Sequence, residues 1–367
     1  MTRKEKKIAL TNLLEELEFE LTQELLERIA ENRRLIQKAW DFQPVEKTPV
    51  TCFAEGPKDE DFKKVRFNLV ENLRPQLLGI KSSLENGFNI LPGVVRDFNT
   101  TLLASAFGCP IRIMPNGQDW AEPIIKTNKD LENLKPSKVL KSGLVPEYLE
   151  DMDLMREVLP REITIGNRIL LGPTDHLFWV RGANAVLLDF YMDPEFITRL
   201  YDLVTESHIL LLKESHKVAS WNFSHEDVHF DTLFHAECKG LITFSDDASV
   251  NVSPKIYHKF IAPFNRRLLE EFRGGLIHTC GACEHLLEEY AMLPATGIEL
   301  NLNLVNYQKA RRILKDKVIV SYFGLIPSSS YEESLRLTIE EARKGGLIVI
   351  GSLQILKDLR SMEKICD

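Results

Sequence analysis

The segment His278-Thr279-Cys280-Gly281-Ala282-Cys283 sets one imidazole and two thiols within six residues. His278 and Cys280 stand two positions apart, just after the apolar run Gly275 to Ile277. Alternate side chains of an extended segment share a face, so this spacing turns both to one side. Gly281 lets the chain turn, and Cys283 follows. Imidazole and thiolate suit zinc, which binds cysteine in its deprotonated form. Three such ligands, His278, Cys280 and Cys283, with an open fourth position would make a catalytic rather than a structural site. A zinc-held thiol stays thiolate at neutral pH and is a usable nucleophile. The competing reading is structural, with the histidine satisfying a core hydrogen bond and the thiols packing. Residue chemistry alone leaves both open.

Three further groups carry candidate chemistry. Phe244-Ser245-Asp246-Asp247-Ala248-Ser249 closes another apolar run. Burying unpaired charge is costly, so two adjacent carboxylates are poor core residues. Asp246 or Asp247 is a candidate catalytic proton carrier, or a support for the metal ligands. The alternative is a turn in which Asp247 caps and Asp246 takes a backbone hydrogen bond. Gly172-Pro173-Thr174-Asp175-His176 ends a third run, and Asn303 ends a fourth. Asp175, His176 and Asn303 are candidates to bind a cofactor on the face that carries His278, although the Asp175 segment also reads as a capping turn. The third group is His225-Glu226-Asp227-Val228-His229, which fits the His-Glu-x-x-His pattern of zinc peptidases, with His235 in the place of a third ligand. Thr232 stands where the longer motif needs glycine. The stretch also precedes a strand, away from the end where barrel chemistry gathers, so a solvated helix or loop is expected. A redox pair of Cys280 and Cys283 lacks a thioredoxin-like context.

These residues need strands to carry them. After Pro49, strands are expected at Val50 to Phe53, Gly87 to Leu91, Ile169 to Leu171, Leu241 to Phe244, Gly275 to Ile277, Ile298 to Leu302, Val318 to Phe323 and Leu347 to Ile350. The last five recur every 20 to 35 residues or so, roughly the spacing that parallel βα units require. Ser253-Pro254 opens one intervening helix and Gly345-Gly346 closes another. Eight strands and no Gly-x-Gly-x-x-Gly loop predict a (β/α)8 TIM barrel over residues 49–367. About Asn99 to Glu162 is an expected insertion, a lid or an excursion over the top.

Residues 1–48 read as an N-terminal helical extension. Leu13, Leu14, Leu17, Leu21, Leu25 and Ile29 recur at helical spacing and predict one or two helices from Thr11 to about Ala39. They cap the barrel bottom or, alternatively, present a partner or homodimer surface. Arg3, Lys4, Glu5, Lys6 and Lys7 read as a frayed, solvated tail.

The chain has 367 residues, 44% hydrophobic and 27% charged, the profile of a globular protein. A charge of −8 and a pI of about 5.7, with no concentrated basic face, exclude a nucleic-acid partner. No apolar run approaches the roughly 20 residues that span a bilayer, and no membrane association or secretory leader is expected. Six cysteines are sparse for this length, so reduced thiols in a cytoplasmic protein are expected.

Together the segments resemble the uroporphyrinogen decarboxylase superfamily, in particular its cobalamin:coenzyme M methyltransferase-like branch. The resemblance runs from about Pro49 to Gly351. It is carried by Ala104-Ser105-Ala106-Phe107-Gly108-Cys109, Gly172-Pro173, Asp193-Pro194-Glu195, Ser245-Asp246-Asp247, Ser253-Pro254 and His278-Thr279-Cys280-Gly281. Gly345-Gly346-Leu347-Ile348 looks like the family's last strand. The resemblance implies a TIM barrel in which His278 and Cys280 are zinc ligands. It also implies a zinc-activated thiol that takes a methyl group from a methyl-corrinoid protein. The branch's third cysteine, shortly after the Gly-Gly pair, is absent from Ile350-Gly351-Ser352-Leu353-Gln354. Cys283 is the first candidate in its place and Cys238 the second. The function so implied is a zinc-dependent methyltransferase acting on a small-molecule acceptor, a thiol or a tetrahydrofolate-like cofactor. The alternative is a metal-free barrel that binds a corrinoid or tetrapyrrole without methyl transfer. Porphyrinogen decarboxylation is rejected, because Phe53-Ala54-Glu55-Gly56-Pro57 offers no arginine for the porphyrin's carboxylates.

Overall fold

The computed structural model describes residues 1–52, 66–114, 119–167, 170–219, 228–231 and 235–366. Among them, seven strands form one parallel sheet: β1 Val50–Thr51, β2 Leu170–Leu171, β3 Ile242–Ser245, β4 Gly275–Thr279, β5 Gly297–Asn301, β6 Val318–Tyr322 and β7 Leu347–Ile350. The sheet order is β1-β7-β6-β5-β4-β3-β2, so strands that follow one another in the chain lie side by side from β2 to β7. Parallel neighbours need crossovers, and helices supply them. Ala262–Glu271, Leu287–Met292, Tyr307–Ile313 and Tyr331–Arg343 follow β3 to β6 in turn.

The expected strand at Gly87 to Leu91 does not form. Gly87, at φ +86°, ends the helix Leu69–Glu85 instead, its N–H bonded to Leu84 O at 3.1 Å. Asn89 still reaches β1, donating its N–H to Val50 O at 2.7 Å and accepting from Val50 N at 3.0 Å. The strand that forms, Gly93–Val94, pairs in parallel with Thr164–Ile165. Among the described residues, β1 and β2 are the two edges of the main sheet.

Alternation along the strands separates two apolar layers. Ile277, Ile298, Ile319 and Leu347 pack with the helices. Leu276, Val318, Val320, Ile348 and Ile350 face the other way and form a core with Ile36, Ala39 and Trp40 and with Ala236 and Cys238. The former three belong to the N-terminal region, which forms two helices, α1 Arg3–Glu16 and α2 Gln23–Trp40. The latter two lie on the antiparallel hairpin Val228–Asp231/Ala236–Lys239. Trp40 donates its indole N–H to Glu237 O at 2.8 Å, tying helix to hairpin. A Cβ built on Gly297, the first residue of β5, would stand 2.7 Å from the Trp40 ring. α2 and the hairpin therefore cover the N-terminal ends of the strands.

The basic N-terminus is not frayed. Thr2 and Glu5 form a reciprocal capping box that starts α1 at Arg3. Arg3 meets Asp153 at 2.8 Å and Lys6 meets the buried Asp151 at 2.7 Å, both on the helix Val145–Val158. Leu10 and Leu13, on the same helical face as Arg3 and Lys6, anchor the helix in the main core. The insertion also holds the hairpin Ile111–Ile113/Asp119–Ala121, where Trp120 meets Trp179 of the helix Pro173–Arg181 at 5.0 Å. None of the five cysteines with described side chains is in a disulfide. No helix among the described residues is long and apolar enough to cross a membrane.

Candidate metal centre

Strand register assembles this site. Ser245 of β3 pairs with His278 of β4, and His278 pairs with Glu299 of β5. Paired residues of neighbouring strands project from the same side of the sheet, so the imidazole and the Glu299 carboxylate meet. His278 Nδ1 lies 2.6 Å from Glu299 Oε2. A carboxylate only accepts, so Nδ1 carries the proton and Nε2 is left for another partner. Nε2 lies 3.7 Å from Asp247 Oδ2. Asp247 in turn accepts the Cys280 N–H on Oδ1 at 2.8 Å, which fixes the loop after β4.

Asp247, His278 and Cys280 each offer one ligand atom, and the three atoms lie within 4.8 Å of one another. His278 is buried while Asp247 and Cys280 are half-buried, so the group has an outward side. Burial alone would disfavour a charged imidazole. The Glu299 carboxylate, the Cys280 side chain and Asp247 outweigh it and hold the His278 pKa well above its ordinary range. The acidic groups around the imidazole favour positive charge at this place, and a metal there would take the position of the imidazole's second proton. One imidazole, one thiol and one carboxylate are ligand types that zinc accepts, and three protein ligands leave a position open.

Cys283, the expected third ligand, is not in this group. It is fully buried at the turn before Glu284–Leu286, and burial pushes its thiol up to about 12. A thiol so placed is neither a ready thiolate nor one half of a reactive pair. Asp247 occupies the position beside His278 and Cys280 instead.

The two adjacent carboxylates have different surroundings. Asp246 is buried and accepts from Tyr257 Oη at 2.9 Å, from Asn265 Nδ2 at 3.2 Å and from the Ser249 hydroxyl. Burial raises its pKa to about 7 against these bonds. Asp175 accepts from the Asp247 N–H at 3.2 Å, the Ala248 N–H at 2.6 Å and Ser245 Oγ at 2.5 Å. It thus shapes the turn that presents Asp247. Burial, together with the charges of Asp247 and Asp246, holds Asp175 above the usual carboxylate range.

The other cofactor candidates lie differently. His176 is buried against His208, ring centroids 5.2 Å apart, and desolvation lowers it to about 4. Asn303 is exposed and donates its N–H to Asn301 Oδ1. Asn301 is the residue that reaches the site loop, donating to Cys280 O at 3.1 Å.

Three contributors escaped the sequence reading: Glu299, Asn301 and Tyr322. The Tyr322 ring meets the His278 ring edge-on at 5.0 Å. The available signal was polarity inside an apolar strand. Glu299 and Asn301 alternate with Ile298, Leu300 and Leu302, and so must share the side opposite those residues.

Of the peptidase-like motif, residues 225–227 lie outside the described residues, as do residues 53–57 after β1. His229 is described, and neither the helix nor the solvated loop expected there exists at it. It lies on the buried strand Val228–Asp231, because that segment pairs with Ala236–Lys239.

A parallel α/β sheet with polar side chains, some of them able to hold a metal, at the carboxyl ends of its strands has the layout in which α/β folds gather their sites. A solved structure titled methyltransferase from Methanosarcina mazei is similar to this chain with a TM-score of 0.65. The likeness covers 91% of this chain and 98% of that one at 16% identity, and is therefore one of fold. No family model matches the chain, and no curated protein matches it.

Proposed function

We propose that this chain is a metal-dependent methyltransferase of the corrinoid-using, uroporphyrinogen decarboxylase-like kind, with zinc held by His278, Cys280 and Asp247. The observation that carries the reading is the placement of these three ligand atoms within 4.8 Å at the C-terminal ends of β3 and β4. The similar fold of a protein titled methyltransferase supports it. The sheet in this reading closes as a (β/α)8 barrel, with the segment that bonds to β1 through Asn89 and pairs with Thr164–Ile165 through Gly93–Val94 as the remaining strand. In this reading residues 1–48 are a helical extension of that barrel.

The chain's own groups have defined tasks. Glu299 fixes the His278 tautomer so that Nε2 faces the open side. Asp247 holds the Cys280 loop, and Asp175 holds Asp247. Tyr322 walls His278 on one flank and limits water there. A zinc ion bound by these residues would keep an acceptor thiol as thiolate at neutral pH. With a methyl-corrinoid as donor substrate, the acceptor sulfur would gain the methyl carbon, the carbon–cobalt bond would break with its electron pair left on the corrinoid, and the thiol's proton would go to solvent.

The test is metal analysis of protein never exposed to chelator, followed by incubation with methylcobalamin and small thiols or tetrahydrofolate. Zinc should co-purify, and the methylcobalamin spectrum should change in the wild type but not in Cys280→Ser. Zinc near zero, or transfer unaffected by Cys280→Ser, would overturn the proposal.

A further inference from the structure

The hairpin Val228–Asp231/Ala236–Lys239 has two unlike faces. Its register pairs His229 with Cys238 and Phe230 with Glu237. Alternation puts Asp231 on the face of His229, and directly opposed residues share a face, so Cys238 joins them. On the other face the Phe230 ring fills the space beside Gly93, while Glu237 accepts from Arg33 Nε at 2.8 Å. His229, Asp231 and Cys238 each present a ligand atom, all within 4.8 Å of one another, and all three residues are at least 96% buried.

An imidazole, a carboxylate and a thiol gathered in a buried place make a donor set that a divalent cation of the zinc class can bind. The imidazole is oriented for this. His229 Nδ1 lies 2.8 Å from Gly240 O, and a carbonyl only accepts, so Nδ1 carries the proton and Nε2 holds the lone pair. An Nδ1–H fixed on a backbone carbonyl is the usual support of a histidine that binds metal through Nε2. Thr243 Oγ1 lies 2.6 Å from Nε2, so a cation bound there would take that place and the Thr243 side chain would swing aside. A cavity of about 550 Å³ beside the hairpin is bordered by Trp40, Glu237, Cys238 and Arg273.

We infer that His229, Asp231 and Cys238 form a second metal site, structural in role, for a zinc-class divalent cation. Its nitrogen, oxygen and sulfur donors suit zinc rather than calcium or magnesium, which take oxygen. All three ligands come from one hairpin that packs under the strand starts with Trp40. The ion would therefore lock the hairpin pairing where α2 closes the sheet.

The experiment is zinc per chain after expression in zinc-supplemented medium and gel filtration, on the wild type, Cys238→Ser, Asp231→Asn and Cys280→Ser. The expected result is that Cys238→Ser and Asp231→Asn each lose one zinc while keeping the zinc bound at Cys280. Chelator should lower the melting temperature of the wild type and of Cys280→Ser but not of Cys238→Ser. Should Cys238→Ser fail to fold, cobalt loaded into Cys280→Ser gives an independent reading. A thiolate-to-cobalt charge-transfer band must persist there, because Cys238 supplies the sulfur. Zinc content unchanged in Asp231→Asn and Cys238→Ser, or a cobalt band lost with Cys280 alone, would overturn the inference. That pattern would leave the methyltransferase site intact, whereas zinc lost only through the hairpin variants would uphold this site and remove the other.

Discussion

Two groups of histidine, cysteine and aspartate lie at opposite ends of one sheet, and they are built differently. The group at Asp247, His278 and Cys280 is drawn from the ends of β3 and β4, distant in the chain, and two of its members are half-buried. The group at His229, Asp231 and Cys238 comes from a single hairpin and is wholly buried. Each histidine has its Nδ1 committed, His278 to the Glu299 carboxylate and His229 to the Gly240 carbonyl, and His229 Nε2 also meets the Thr243 hydroxyl. Donor set alone therefore does not separate them. Access does: an outward side allows a ligand to exchange, and burial on a hairpin that closes the sheet serves to hold that hairpin in place.

The sharpest way to break this contrast is at Cys280. Cys280→Ser should abolish methyl transfer while, compared with the wild type after metal is removed from both, moving the melting temperature by less than about 3 °C, a change of order 1 kcal/mol for a chain this large. A large loss of stability would make the outer group structural as well. The inner group should behave in the opposite way. Stripping its metal, or Asp231→Asn, should lower unfolding free energy by about 3 kcal/mol in urea titrations, the effect of an ion present at roughly a hundred times its dissociation constant. Transfer per folded molecule should stay the same.

Glu299 tests whether the two ends communicate. Its carboxylate binds His278, its charge also reaches Cys238, and its Oε1 meets no hydrogen-bond donor among the described residues. Glu299→Gln should weaken zinc at the outer group about 10- to 100-fold, as loss of a ligand's supporting carboxylate does, when measured by competition with a chelating dye. An equal loss at the hairpin would show that the groups are coupled.

The smallest expected effect concerns histidines that only pack. Desolvation lowers His176 to about 4 and His208 well below its ordinary range, against roughly 6.5 in an unfolded chain. The folded state then binds fewer protons than the unfolded one, so these residues make stability fall as pH drops from about 6.5 towards 4. The raised Asp175 and Asp246 act in the opposite sense. His208→Leu should flatten the decline of melting temperature between pH 7 and 5. An unchanged slope would place the acid response elsewhere.

Much of the sheet was legible in the sequence, because β3 to β7 are apolar runs that stop at a polar residue, and only a buried parallel strand demands that pattern. The N-terminal half was less legible. Gly87 marks a helix end rather than a strand start, and strands of two residues leave almost no periodicity to read. The capping box at Thr2 was visible in the sequence but hidden under the charge of its neighbours. At the candidate site, the nearness of His278 to Cys280 could be read from their two-residue spacing. The approach of Asp247 to them could not, since the pairing of Ser245 with His278 decides it and nearness in the chain misleads. The hairpin was hidden for a similar reason. Val-His-Phe-Asp alternates only in the company of Ala-Glu-Cys-Lys, and the pairing appears in neither segment alone.

The central claim is that one thiolate and one imidazole hold a metal at the outer group. Zinc X-ray absorption on Cys238→Ser protein, in which only that group retains a cysteine ligand, tests it most directly. The expected spectrum has one sulfur at about 2.3 Å with nitrogen and oxygen at about 2.0–2.1 Å. A shell without sulfur, or protein that retains no zinc after gel filtration, would contradict it.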